Sequence, residues 1–539
     1  MGIVVPAAVP AAVLSAVPSA VPSAAPSAAR AAVDVEVLIA GAGPTGLVLA
    51  IDLARRGVRH RIVERSERGF PGSRGTGIQP RTLEVLDDLG AVAALRAAGG
   101  PCPLIQVWEG PRRVRERDLV HRAEAGPATP YPELLMLPQW RTVEVLYGRL
   151  EELGGTVDFS TGMTGFDQDA DGVTATLRHA DGSEETVRAE YLVAADGGRS
   201  TVRKALGVPF TGEPVDPRPV LIADVMLEGV DRGHWHMWPK AEGGLLALRP
   251  LEGAETFQVI AGFEDVTYEP EVSRDATPEA LLALLERRTG LPGLRVGEVT
   301  WASVYRARAA MAERFRTGRV FLAGDAAHIH SPAGGQGLNT SVQDAYNLGW
   351  KLGAVLRHGA PDTLLDSYDT ERVRVAADVL GLSTSVHAAD RAHSEDGLHR
   401  RGPETLQLGL NYRESPLTRE ARRDVPEGAL RAGDRAPDAP CVDTSGAEVR
   451  LFDAFRGPHF TLLDLTGEPA PRPVPDAPWL HTYRVGGPDA DLHDAGGHAK
   501  AAYGSGLFLI RPDGYVGLAT DEAGDIAAYV GAVGVVTAG

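Results

Sequence analysis

"VEVLIAGAGPTGLVLAIDLARRGVRHRIVE", residues 35–64, reads as a strand, a glycine turn, a helix and a second strand. Gly41, Gly43 and Gly46 fall on G-x-G-x-x-G directly after an apolar strand and at the head of an amphipathic helix, the context in which the motif specifies a dinucleotide site. Gly41 permits the tight turn, Gly43 lets a pyrophosphate approach the backbone, and Gly46 allows close helix packing. The helix, opened by Pro44 and Thr45, turns its aligned amide dipoles toward the phosphates. Glu64 ends the second strand, where a carboxylate accepts hydrogen bonds from both ribose hydroxyls. A 2′-phosphate would meet like charge there, so FAD or NAD fits this pocket and NADP does not.

Two further strand ends repeat this grammar. "AEYLVAADGGRSTVRKALG" (189–207) runs an apolar strand into Asp196, two glycines, and Ser200 and Arg203 on a starting helix. "GRVFLAGDAAHIHSPAGGQGLN" (318–339) ends a strand near Gly324 and Asp325 and enters a helix near Leu338 or Asn339. Ligands of α/β sheets sit at such carboxyl edges, so Asp325 is placed to bond a cofactor hydroxyl. The crowded backbone donors of "SPAGGQG" suit the ribityl chain and pyrimidine end of a flavin. His328 and His330 alternate there without a third metal-ligand spacing, which favours hydrogen bonding over a metal. Between the first two motifs, "GFPGSRGTGIQPRTLEVLDDLG" (69–90) carries Arg74 in a glycine-rich loop, an excursion that suits a larger cofactor than NAD.

Together, "GAGPTG" (41–46), "DGGRSTVR" (196–203) and the 318–339 stretch resemble the three fingerprints of the class A flavoprotein aromatic hydroxylases, the p-hydroxybenzoate hydroxylase type. The resemblance covers roughly residues 34–395 and is nearest to actinobacterial aromatic polyketide hydroxylases and rifampicin monooxygenase. It implies FAD held by Gly41, Gly43, Pro44, Thr45 and Gly46, with Glu64 and Arg65 at the adenosine and Arg74, Gln139 and Arg141 by the pyrophosphate. It also implies Asp196 in FAD and NADPH binding, Gly324 and Asp325 at the ribityl chain, and Pro332, Gly335, Gly337, Leu338 and Asn339 beside the isoalloxazine. The implied chemistry is NADPH oxidation, with NADH as an alternative, followed by oxygen transfer from a flavin C4a-hydroperoxide.

Residues 209–315 alternate apolar and polar positions in short runs, which reads as a mostly antiparallel substrate sheet. Trp235, Trp238 and Arg249 are its candidate substrate contacts, and His236 or His330 a candidate base. From about residue 430 the order of hairpin, short helix, strands and final helix resembles the thioredoxin-like carboxyl domain of phenol and polyketide hydroxylases. "TGEPAPRP" (466–473) stands where C-x-x-C would be needed, and Cys441 lies before that strand, so disulfide exchange is not expected.

The expected organisation is an Ala/Pro-rich disordered extension (1–33), an α/β FAD domain with a Rossmann-type βαβ unit in two parts (34–208 and 316–400), an interleaved antiparallel-sheet substrate domain (209–315), a linker (401–429) and the thioredoxin-like domain (430–539). A net charge of −18 weighs against nucleic acid as a partner. Prolines break the uncharged start, which weighs against a membrane span, and two cysteines favour a reduced, cytoplasmic setting. The expected function is hydroxylation of a polycyclic aromatic polyketide with dioxygen, by a monomer or homodimer. The alternatives are inactivating hydroxylation of an aromatic antibiotic, Baeyer–Villiger oxygenation, and more distantly a non-catalytic flavin-binding protein.

Overall fold

The structure, a computed structural model, describes residues 33–120, 122–392, 400–467, 477–487 and 489–534. The expected extension lies outside the described residues except for Val33, as does most of "TGEPAPRP". Val320–Leu322, Glu184–Ala194, Val35–Ala40, His60–Val63 and Val157–Asp158 lie side by side in one sheet, each parallel to its neighbour. Their apolar carboxyl halves are buried on both faces, as a helix-covered parallel sheet requires. Ala40 pairs with Val63 on one side and Ala194 on the other, and Ala194 pairs with Leu322. This register delivers Gly41, Glu64, Asp196 and Asp325 to one sheet edge, although up to 284 residues separate them in sequence.

The second sheet has eight strands in the order His328–Ile329, Arg295–Ala312, Phe210–Glu228, Thr256–Gly262, Leu246–Pro250, His234–Trp238, Leu104–Glu109 and Arg112–Arg117. All neighbours are antiparallel except His234–Trp238 with Leu104–Glu109. Strict alternation gives it two faces. Leu221, Ala223, Val225, Leu248, Phe257 and Val259 point to one side and pack with Leu281, Leu284 and Leu285 of the helix Pro278–Thr289. Their alternates, including Ile222, Arg249, Gln258 and Ile260, point to the other side and line a cavity. The His328–Ile329 strand belongs to this sheet, so the third fingerprint passes from the edge of one sheet into the next.

The carboxyl unit is a mixed five-stranded thioredoxin-like sheet ordered Arg419–Glu420, Val516–Thr520, Leu507–Ile510, Phe460–Asp464 and Leu480–Arg484. Its edge strand comes from the segment expected as a linker. The sheet packs its Phe460, Leu509 and Leu518 against Trp350 and Ala354 of the helix Gly337–His358. Buried charges lock this contact. Both guanidinium arms of Arg511 reach Glu371, at 2.6 and 2.9 Å, and Lys351 Nζ reaches the same carboxylate at 2.7 Å. Asp513 bonds Arg511 and accepts the Trp350 indole N–H at 3.1 Å. Burial would raise the Glu371 carboxyl, but Arg511 and Lys351 hold it well below the usual range. Burial pulls Lys351 down to about 8 against the attraction of Glu371.

Removing one partner of such a buried set leaves charge uncompensated. Glu371→Ala is expected to lower the unfolding free energy by about 3–5 kcal/mol in urea titrations. Arg413→Ala, whose pair with Asp434 is half exposed, should change it by less than about 1 kcal/mol.

Candidate active site

A cavity of about 1230 Å³ lies between the edge of the parallel sheet and the free face of the second sheet. Gly43, Pro44 and Thr45 line it at the amino end of the helix Pro44–Arg55. Gly41 has φ +105°, and a Cβ there would stand 2.4 Å from the Ala195 carbonyl oxygen. A Cβ on Gly46 would stand 2.0 Å from the Gly41 oxygen, so a side chain at either position breaks the turn. At Gly43 a Cβ would meet nothing within 4 Å, which leaves the helix amides open to a ligand. Glu64 uses one carboxylate oxygen on the Ala42 N–H and the other on the Ser66 N–H, both at 3.0 Å. Each oxygen keeps a lone pair for a ribose hydroxyl. Arg65 beside it is exposed and does not line the cavity.

Asp196 caps the next helix through the Thr201 N–H at 2.7 Å, and its other oxygen is buried with no partner. Arg203 joins the second motif to the third, donating to the Ala326 and Gly198 carbonyls at 2.7 and 2.8 Å. Asp325 faces the cavity, and the enclosing walls raise its carboxyl above the ordinary range. Pro332, Gly335, Gly337 and Leu338 form the adjoining wall. Asn339 is fully buried behind it: its Oδ1 accepts the Gln79 N–H and its amide donates to Gly77 and Gly335. It therefore clamps the glycine-rich loop to the helix rather than facing a ligand.

Asp344 organises this wall. Its Oδ2 accepts the Gly324 N–H at 2.9 Å and His328 Nε2 at 2.6 Å, while Oδ1 accepts Arg372 Nε at 2.7 Å. Burial alone would raise this carboxyl, yet Arg372 and His328 hold it down at about 2. His328 Nδ1 and His330 Nε2 stand 2.9 Å apart, so one hydrogen bond joins the two rings. His330 touches the cavity, but its remaining nitrogen, Nδ1, is buried without a partner. Burial and His328 hold its pKa well below the ordinary histidine value. His330 thus keeps one enclosed ring nitrogen without a protein partner at the cavity wall.

The expectation of a base at His236 is corrected. It is fully buried on the helix-packed face, with Nδ1 accepting the Trp108 indole N–H at 3.1 Å and Nε2 bonded to the Asp231 carbonyl at 2.8 Å. Trp238 shares that face, stacks on Trp108 with ring centroids 5.3 Å apart, and is no substrate contact. Strand alternation is the reason, because Trp235 points the other way and does line the cavity. Arg249 lines it too, its guanidinium 4.5 Å from the centre of the Trp235 ring.

Arg74 stands at the cavity over Trp301 and Phe70 and donates to Ser303 Oγ at 2.6 Å. Gln139 accepts the Gly75 N–H at 3.0 Å and steadies this loop. Arg141 instead pairs with Glu144 on the exposed face of the helix Gln139–Glu152 and does not line the cavity. Beneath the loop, Ser73 Oγ–H donates to Asp224 Oδ1 at 2.5 Å and the Gln258 amide donates to Ser73 at 2.7 Å. Asp224 is buried with its second oxygen unpartnered, and desolvation raises its pKa to about 6.

Gln258, Tyr305, Ile222 and Ile260 were not singled out in the sequence, nor were Gly402, Pro403, Thr405 and Leu406 of the linker, which close one end of the cavity. The alternation that places Trp235 and Arg249 on one face also carries the first four, had its phase been known.

Residues 34–383 match the family model for an FAD binding domain, and residues 430–534 match that for the aromatic-ring hydroxylase C-terminal domain. The chain belongs to the flavin-dependent aromatic-ring hydroxylases. It is 44% identical, over 92% of its length and 99% of the relative's, to a flavin-dependent monooxygenase of Mycobacteroides abscessus. It is 36% identical to the 12-dehydrotetracycline 5-monooxygenase/anhydrotetracycline 6-monooxygenase of Streptomyces rimosus, covering 89% of this chain and 94% of that one. Among solved structures, aklavinone-11 hydroxylase in complex with FAD and aklavinone superposes with a TM-score of 0.76 at 29% identity, covering 93% of this hydroxylase and 99% of that chain.

Two outcomes test the geometry. Gly46→Val should leave the protein unable to retain FAD, read from the absorbance of the purified protein, because the added Cβ falls on the Gly41 carbonyl. Asp224 has a folded pKa above its unfolded value, so protonation favours the fold and that contribution is lost as pH rises from about 4 through about 6. In urea titrations, Asp224→Asn should gain on the wild type by about 2–3 kcal/mol between pH ~4 and pH ~7.5.

Proposed function

We propose that this hydroxylase consumes NADPH and dioxygen to insert one oxygen atom into a polycyclic aromatic polyketide, in the cytoplasm. The observation that carries the reading is one cavity with two unlike walls. One is the edge of glycine turns suited to a dinucleotide, the other a sheet face of Trp235, Ile222, Ile260 and Tyr305 suited to flat rings. Relatives named for tetracycline intermediates and a structure holding aklavinone support this substrate class.

FAD, when bound, supplies the hydride-accepting and oxygen-activating ring. The amides after Gly41 and Gly43 would hold its pyrophosphate, Glu64 its adenosine ribose and Asp325 its ribityl hydroxyls. Arg74 and Gln139 would steady the loop over the pyrophosphate. The wall from Pro332 to Leu338 would lie against the isoalloxazine, with backbone donors toward its electron-rich end. Trp235 and the branched residues of the sheet would orient the substrate and exclude water from the reacting atoms. Gly402 to Leu406 complete that exclusion.

The test is oxygen-dependent NADPH consumption by the FAD-loaded protein with and without a panel of polycyclic polyketides, followed by product mass. The reading predicts stimulation and a product heavier by one oxygen. Bound FAD with no stimulation by any polycyclic phenol or quinone would overturn the substrate class.

A further inference from the structure

His387, near the end of the helix Asp366–Ala392, lines the cavity, and its ring joins three segments far apart in the chain. Nδ1 stands 3.0 Å from the hydroxyl oxygen of Ser331, the residue just before the Pro332 wall. Nε2 faces Asp216 Oδ2 at 3.5 Å, where the strand Phe210–Glu228 breaks register between Pro214 and Pro219. That nitrogen is enclosed and has no hydrogen-bond partner. Ser331 and Asp216 line the same cavity, both with buried side chains, and Asp216 is held from behind by Arg218 at 2.6 Å.

A hydroxyl set between a ligand and an imidazole passes a proton on without becoming charged, because it accepts one hydrogen bond while donating another. Besides His387, Ser331 Oγ takes only the Ala333 N–H, at a long 3.4 Å, so it keeps a lone pair for a hydroxyl of the ligand. An imidazole that takes up a proton away from water needs a negative charge beside it. Asp216 stands there within ion-pair reach. Asp390, one turn along the same helix, is occupied with Arg401 through two 2.8 Å bonds. His330, the other histidine at the cavity, has no carboxylate bonded to its enclosed nitrogen, and burial and His328 hold its pKa well below the ordinary value.

We propose that His387, through the Ser331 hydroxyl, accepts the proton of a ring hydroxyl on the substrate. This rests on the polycyclic-aromatic reading above and narrows it to ring systems with a phenolic or enolic hydroxyl at the edge beside Ser331. The ring O–H bond breaks as its hydrogen passes to Ser331 Oγ, and the hydrogen that Ser331 carried passes to His387 Nδ1. The ring oxygen keeps the electron pair, and the imidazolium lies between Ser331 and Asp216. The net charge of the cavity is unchanged, and the step consumes no second reactant.

The test uses the FAD-loaded protein and 2-hydroxyanthraquinone, whose anion absorbs at longer wavelength than its neutral form, at a pH where the free probe is neutral. The control, 2-methoxyanthraquinone, has no proton to lose. Bound to wild type, the hydroxy probe should show the anion band in difference spectra, and an indicator dye in weak buffer should show no matching release of protons, because the proton stays on His387. His387→Gln keeps a hydrogen-bonding group near Ser331 but holds no proton. The ratio of anion to neutral bound probe should therefore fall by about tenfold or more, the scale of a charge-assisted contact, with FAD content and methoxy-probe affinity kept. Ser331→Ala should do the same, and Ser331→Thr should restore most of the band. A neutral bound probe in wild type, proton release that matches the anion formed, or a band that survives in His387→Gln or in Ser331→Ala would overturn the assignment while leaving the aromatic reading intact. Failure of both probes to bind would overturn the aromatic reading and the assignment with it.

Discussion

The buried carboxylate of Asp344 is the constraint on which the rest of the site depends. From the first half of the helix Gly337–His358 it holds the Gly324 amide at the parallel-sheet edge, His328 at the margin of the second sheet, and Arg372 on the helix Asp366–Ala392. Arg372 carries the chain of contacts on to the Tyr412 hydroxyl at 2.9 Å. No polar group in that set sees solvent, so each bond is strong and each loss would leave a desolvated group behind. The glycine-rich wall between Gly324 and Gly337 is spanned by these anchors. A segment with so little side-chain packing of its own keeps one shape because both of its ends are fixed.

The second sheet works by contrast between its faces. Trp108, Trp238 and His236 fill the side against the helix Pro278–Thr289, where the histidine's two nitrogens are consumed by structure. The opposite side is left to Trp235, Arg249, Gln258, Ile222 and Ile260, and the sheet meets the flavin-binding half of the molecule around the Ser73 loop and the His328 strand. The carboxyl unit presses on the far side of the Gly337–His358 helix, and its Arg511 bonds the Glu371 that lies one residue before Arg372. The thioredoxin-like unit thereby buttresses the helices that carry Asp344 without reaching the cavity itself through that contact.

Much of this was legible in the sequence because it is local. A G-x-G-x-x-G between strand and helix specifies its own backbone, and Asp196 and Asp325 follow apolar strands whose parallel alignment brings them to Gly41. The phase of the substrate strands was not legible: "GHWHMWPK" carries large residues on both faces, so Trp235 and Trp238 look equivalent until the helix behind the sheet is known. The charged interior was not legible either. Asp344, Arg372, Glu371 and Arg511 are ordinary surface residue types, and only partners distant in sequence make their burial tolerable. The linker reads as irregular, yet Pro403–Leu406 form a short 3-10 turn, tied by Thr405 to the Gly402 carbonyl, that closes the cavity.

The most direct test of the account is a crystal structure of the protein with FAD and a polycyclic ring ligand. The account predicts the pyrophosphate at the Gly43 turn, the isoalloxazine against Pro332 to Leu338, and the ligand on the sheet face bearing Trp235, Arg249 and Gln258. A ring ligand bound outside this cavity, or a flavin lying away from the Pro332–Leu338 wall in every state captured, would contradict it.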